Sequence, residues 1–255
     1  GRDKGDARRA KLSALAEGRI DLLVGTHAVF QADVSFQDLR IAVIDEQHRF
    51  GVRQRMELAE KGVSADVLVM TATPIPRSLA LAQYGDMDIS VLDEKPPGRK
   101  PVKTAVISTE RLDDVISHLR AAIGEGRQCY WVCPLVEESE VVELTAAEDR
   151  FKSLRASLGE DVVGLVHGQM PAVEKDAAMA DFQDGRIKVL VATTVIEVGV
   201  NVPNATIMVI EQAEIFGLAQ LHQLRGRVGR GEAASTCLLM YRPPLSESGR
   251  RRLGV

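Results

Sequence analysis

Two adjacent carboxylates, Asp45 and Glu46, directly follow the apolar run Ile41-Ala42-Val43-Ile44, with Gln47 and His48 next in line. A short apolar run of this kind reads as a buried strand, and in a parallel α/β sheet ligands collect beyond the carboxyl ends of strands. Carboxylates placed there suit a hard divalent cation. One of the pair can hold Mg²⁺ through its water shell while its neighbour orients or deprotonates an attacking water, the division that phosphoryl transfer requires. The bland alternative is a capped strand end with a solvated acidic turn, and these four residues alone do not choose between the two. A second run, Val67-Leu68-Val69-Met70, ends in Thr71-Ala72-Thr73-Pro74.

Far downstream, three guanidinium groups are packed into Arg225, Arg227 and Arg230. They repel one another unless an anion joins them, and Glu211, Glu214 or a triphosphate are the candidates. Guanidinium forks suit phosphate oxygens and neutralise charge that develops during phosphoryl transfer. A surface ion-pair network is the competing reading; the flanking glycines, Gly226 and Gly229, which give the backbone room, favour the functional one. The spacing Gln223, two residues, Gly226-Arg227, two residues, Arg230 resembles the arginine-finger element of helicases.

Longer strings extend that likeness: DEQHRFGV at 45–52, TATPIPR at 71–77, PPGRKP at 96–101, CPLVEESE at 133–140, TTVIEVGVNVPNA at 193–205 and FGLAQLHQLRGRVGRG at 216–231. Over nearly its whole length the chain resembles a superfamily 2 helicase motor, and more closely the bacterial RecG family of branch-remodelling DNA helicases. Transcription-repair coupling factors of the Mfd type share close versions of the last two strings. Gln47 and the PPGRKP and VEESE strings favour RecG, because Mfd-like motors usually carry a second Glu at the Gln47 position.

The resemblance implies an α/β fold of two RecA-like parallel-sheet motor lobes, the first incomplete at its N-terminus, with ATP and Mg²⁺ as cofactors. It implies that Asp45 holds Mg²⁺, that Glu46 activates water, and that Gln47, His48, Thr71 and Thr73 couple nucleotide state to DNA grip. Gln223, Arg227 and Arg230 would complete the site at the γ-phosphate on lobe closure, and Gly199 and Asn201 would lie at the nucleotide sugar. Thr26, His167, Thr193 and Thr194 would contact DNA phosphates, through hydroxyls, backbone amides or helix N-termini. For each threonine an ordinary helix cap is the competing reading, and a lone histidine is more often structural. The implied partner is branched or duplex DNA, such as stalled forks and recombination junctions, and the implied agent a monomeric cytoplasmic motor.

Two departures bear on these expectations. The phosphate-cradling pattern GxxxxGK[ST] occurs nowhere in the 255 residues, and the chain opens at Gly1 without a methionine, so it reads as a fragment expected to be inactive alone. Asn201 stands where the family pattern carries Asp; it keeps one acceptor oxygen and loses the charge, which weakens the sugar contact without abolishing it. A Mfd-like coupling translocase and a non-catalytic nucleic-acid-binding scaffold remain as rival functions, the latter supported by the missing loop.

Composition frames the rest. A net charge of −4 and a pI near 5.8 exclude a broadly basic nucleic-acid wrapper, so contacts to DNA must come from local arginines and backbone amides. Three cysteines, Cys129, Cys133 and Cys237, lack the spacing of a zinc site and read as reduced core thiols, with Cys129 and Cys133 on one face of a strand. No apolar stretch approaches the roughly 20 residues that cross a bilayer. A polar-faced helix from Gly5 to Glu17 precedes strands at Ile20 to Val24 and Ile89 to Leu92, with a helix from Arg77 to Tyr84 between them. The proline-rich segment 96–101 marks a linker between a first domain at 1–95 and a second at 102–255. Beyond it, strands starting at Val102, Gln128, Val162, Ile187, Thr206 and Thr236 alternate with helices starting at Arg111, Glu143 and Ala172, the signature of a mostly parallel sheet covered on both faces.

Overall fold

The computed structural model describes residues 5–45, 65–71, 88–94, 96–134, 140–193 and 202–254. The chain divides into two compact units, Gly1–Val91 and Leu92–Val255.

In the first unit, helix α1 (Gly5–Ala16) buries Leu15 alone. Strands β1 (Ile41–Ile44) and β2 (Asp66–Val69) pair in parallel, Ile41 opposite Asp66 and Ile44 opposite Val69. The ladder runs one step further, with the Met70 amide donating to the Ile44 carbonyl at 2.8 Å. Ala42 and Ile44 face inward with Leu39 and Val67, while Ile41 and Val43 face out, the period of two that a half-covered strand shows. The runs at 20–24 and 89–92, expected as strands, are not strands. Neither has a ladder partner among the described residues, and Leu22 and Val24 stay 80% and 85% exposed. Apolar, β-branched character makes a strand only where a neighbour supplies hydrogen bonds and packing. The helix expected at 77–84 lies outside the described residues.

The second unit follows the expected alternation. In chain order it contains β3 (Lys103–Ser108), α2 (Leu112–Gly124), β4 (Gln128–Val132), α3 (Glu140–Leu158), β5 (Val163–Val166), α4 (Ala172–Gln183), β6 (Val189–Ala192), β7 (Ala205–Ile210), α5 (Leu218–Arg225), β8 (Thr236–Tyr241) and α6 (Glu247–Leu253). The elements read from the sequence start at these positions or within three residues of them. The six strands form one parallel sheet in the order β3-β8-β7-β4-β6-β5. Strands β4, β6 and β7 are buried at every position because both faces are covered. One core holds Tyr130, Val132, Leu190, Met208 and Ile210 with Phe182 of α4. The opposite core holds Cys129, Trp131, Val191 and Val209 with Leu119 of α2 and Leu154 of α3. Among the described residues no helix is long and apolar enough to cross a membrane.

Parallel pairing aligns the strand ends. Val166 pairs with Ala192, Ala192 with Val132, and Val132 with Ile210. The residues that follow, His167, Thr193, Cys133 and Glu211, therefore stand in one row along the carboxyl edge of the sheet.

Candidate functional site

In the first unit, Asp45 leaves β1 immediately past its last ladder residue, and Thr71 leaves β2 two residues past Val69. Asp45 is exposed and Thr71 half-buried, and both have interaction partners. An exposed carboxylate at a strand end fits a Mg²⁺ that keeps much of its water shell and takes its remaining ligands from phosphate oxygens. Glu46, Gln47, His48 and Thr73 lie outside the described residues. Thr26 occupies the N-cap of a single 3₁₀ turn, His27–Phe30, in extended conformation. Its carbonyl accepts from the Val29 amide at 3.0 Å, but its exposed hydroxyl makes no capping bond. The side chain is thus not spent on the cap that its sequence position also suggested.

In the second unit, His167 and Thr193 stand side by side at the ends of β5 and β6, joined through the Thr193 amide to the Val166 carbonyl at 3.3 Å. Thr193 is buried, and both its Oγ1 and the Nδ1 of His167 are buried without a hydrogen-bond partner among the described residues. Leaving such a group unmet costs about 1–3 kcal/mol, so two neighbouring ones mark a place where a ligand or solvent oxygen is wanted. Burial lowers the pKa of His167, with Lys175 acting in the same sense and Glu148 and Glu174 opposing, which favours the neutral imidazole. The turn after His167 is braced by the Lys175 ammonium, which donates to the Gly168 carbonyl at 2.5 Å. Helix α4 then begins at Ala172 with Pro171 as its N-cap and no side-chain cap, so its first amides keep their donors. Thr194, Gly199 and Asn201 lie outside the described residues.

The arginine motif is built on α5. Leu221 and Leu224 bury one face of this helix, which leaves Gln223 half-buried and Arg225 exposed. Past the helix the chain coils through Arg227 amide to Leu224 carbonyl (3.0 Å) and Val228 amide to Arg225 carbonyl (3.3 Å), and Val228 is buried. Gly229 has φ +75°, and a Cβ there would lie 2.6 Å from Val102 Cγ2, so only glycine fits. Arg230 is exposed, its Nε donating to the Gly226 carbonyl at 3.3 Å, and Arg225 reaches His222 Nδ1 at 3.3 Å. Neither arginine forms an ion pair among the described residues.

The two acids considered as counter-ions are engaged elsewhere. Glu211 takes both arms of Arg150 and the indole N–H of Trp131. Glu214 accepts the Arg242 amide at 3.1 Å through Oε1, and its carbonyl takes Arg252. Charge from Arg227 and Arg230 also reaches the phenol of Tyr130, whose pKa burial raises and these two cations partly restore. Arg225 and Arg230 therefore have no acidic partner among the described residues. Sequence reasoning missed Arg150 and Trp131 as partners of Glu211; 61 residues separate Arg150 from Glu211, and no local pattern links them.

Residues 2–82 match the DEAD/DEAH box helicase model and residues 110–232 the helicase conserved C-terminal domain. Parallel-sheet units carrying these two halves define the RecA-like motor of superfamily 2 helicases. Mss116p bound to single-stranded RNA and AMP-PNP, at 16% identity and TM-score 0.66 over 92% of this chain and 51% of that one, shares this fold. The ATP-dependent DNA helicase RecG of Escherichia coli (strain K12) is 55% identical over 260 residues, which span all of this chain and 38% of that protein. RecG of Bacillus subtilis (strain 168) is 51% identical over 253 residues, 99% of this chain and 37% of its own length. A solved structure of RecG bound to a three-way DNA junction matches with TM-score 0.73 and 44% identity, over 99% of this chain and 32% of that one. The chain belongs to the RecG family, and it spans 38% of the length of the curated relative from Escherichia coli. A Mfd-type identity is not favoured by these matches.

Proposed function

We propose that this chain is the ATP-hydrolysing motor portion of a RecG-type DNA helicase that remodels branched DNA, such as stalled forks and recombination junctions. The observation that carries the reading is 55% identity to RecG along the whole chain, in a sequence that sets Asp45 at a strand end and leaves Arg225 and Arg230 without acidic partners among the described residues. Asp45 would hold Mg²⁺ and Glu46 would orient the attacking water. Mg²⁺ and nucleotide, when held there, would supply a charge-neutralised phosphoryl group to these residues. Arg227 and Arg230 offer guanidinium forks to the γ-phosphate, with Gln223 beside them, and Gly199 and Asn201 serve the sugar.

Gln47, His48, Thr71 and Thr73 pass the nucleotide state to the DNA-gripping residues, Thr26, His167, Thr193 and Thr194. A neutral imidazole and hydroxyls hold phosphate without the counter-ion release that would make each step of a translocating motor salt-bound and slow to let go. We further propose segment 96–101 as the linker between motor domains 1–95 and 102–255, and a monomeric, cytoplasmic agent.

Steady-state phosphate release on forked DNA tests the proposal, measured in the protein extended to the length of its relatives. Glu46→Gln and Arg230→Ala are each expected to lower turnover, the arginine change by about 10³. Undiminished turnover in either variant removes the role assigned to that residue, and a wild-type protein without ATPase activity leaves the scaffold reading standing.

A further inference from the structure

We propose that Arg150 and Trp131 act through Glu211 as a positioning clamp for the segment that carries the guanidinium motif; the consequence for turnover rests on reading Arg227 and Arg230 as γ-phosphate ligands. Glu211 is the first residue past β7, in the row of strand ends. Its carboxylate receives Arg150 twice, Nε to Oε1 and Nη2 to Oε2 (3.1 Å), and Trp131 Nε1 donates to Oε1 as well. The guanidinium lies 5.7 Å from the Trp131 ring centroid. Three elements, α3, β4 and the end of β7, thus converge on one acid whose side chain is 12% exposed.

The next residue, Gln212, has φ +46°, the left-handed region that a non-glycine residue holds only when its surroundings fix it. From there the chain makes a 3₁₀ turn at Ala213–Ile215, buries Ala213 and Phe216, and enters α5 through the Gly217 carbonyl, which takes the Leu221 amide at 2.9 Å. The direction of α5, and with it the placement of Gln223, Arg227 and Arg230, is set within this short stretch. Stability alone is a poor reason for an ion pair here, since a buried pair often gains nothing over apolar residues of similar size. A planar two-armed fork does fix orientation, which a lysine at the same place would not.

Amide hydrogen exchange on this chain is the first test, with Arg150→Met, Arg150→Lys and Glu211→Gln compared to wild type. All three are expected to speed exchange at the Ile215, Phe216 and Leu221 amides about tenfold while β5 and β6 exchange as before. Unchanged exchange at 212–226, or an equal rise across the whole sheet, overturns the clamp. Full protection in the lysine variant overturns the fork as its cause. In the protein at the length of its relatives, Arg150→Met is expected to lower kcat for ATP about tenfold with KM within about twofold. Faster exchange with unaltered kcat refutes the clamp's role in turnover. Arg230→Ala, assayed beside it, separates the two ideas: retained turnover there sinks the γ-phosphate reading, while exchange still decides the clamp.

Discussion

His167 stands just past the end of β5, where burial governs its protonation state. Its pKa is lowered chiefly by burial, so the folded chain resists a proton that the unfolded chain accepts near the ordinary value of about 6.5. The stability linked to this residue is therefore fully present above about pH 6.5 and is lost as the pH falls through that value toward the lower folded pKa. Chemical denaturation of wild type and His167→Gln between pH 5 and 8 checks this. The variant should lose part of the acid-side decline in stability, and an identical decline in both would show that His167 does not titrate as its setting dictates. A bound DNA phosphate reverses the sign, since it favours the imidazolium. Affinity of the relative-length protein for forked DNA should then rise on acidification more steeply with His167 than with glutamine.

At the scale of elements, β4 carries Cys129, and the residue just past its end Cys133, into one core, and β8 carries Cys237 into the other; all three thiols are free and buried. Burial raises each pKa, that of Cys237 to about 12, so thiolate is scarce at pH 8. Iodoacetamide at pH 8 should label none of them within the time that labels all three in denaturant, and fast labelling of any one would mean that its strand is not packed as described. Gly229 sets the exit from α5, and Gly229→Ala should cost about 1–3 kcal/mol by thermal melting because the new Cβ meets Val102 in a left-handed backbone. A neutral effect would mean that the turn is free to rearrange. The motif around this glycine was legible in the sequence because glycine spacing and clustered charge are local facts. Strands β4, β6 and β7 were legible for a related reason, since burial on both faces leaves a nearly continuous apolar run. The apolar runs at 20–24 and 89–92 misled because a strand exists only with its neighbour, and that neighbour is not written beside it. The Arg150–Glu211 fork was invisible for the same cause, as was the left-handed turn at Gln212, which no glycine announces.

At the scale of the whole molecule the chain divides into two compact units. Leu92–Val255 contains a six-stranded sheet with two packed cores, including fully buried Trp131, Phe182 and Leu154. In Gly1–Val91 the described sheet is a single strand pair whose buried cluster is Ala42 and Ile44. Ladder hydrogen bonds and burial on both faces give the larger unit what a domain needs to fold alone. Residues 92–255 expressed alone should therefore unfold in one cooperative step, with stability of about 5–15 kcal/mol and the same protection of Cys129, Cys133 and Cys237 as in the longer chain. Trp131, the only tryptophan, lies between the sheet and α3 and gives the transition an intrinsic fluorescent reporter. Coincident fluorescence and circular dichroism transitions support an autonomous second unit. A broad, probe-dependent melt with thiols that label at once would mean that this sheet needs the first unit to hold its faces closed.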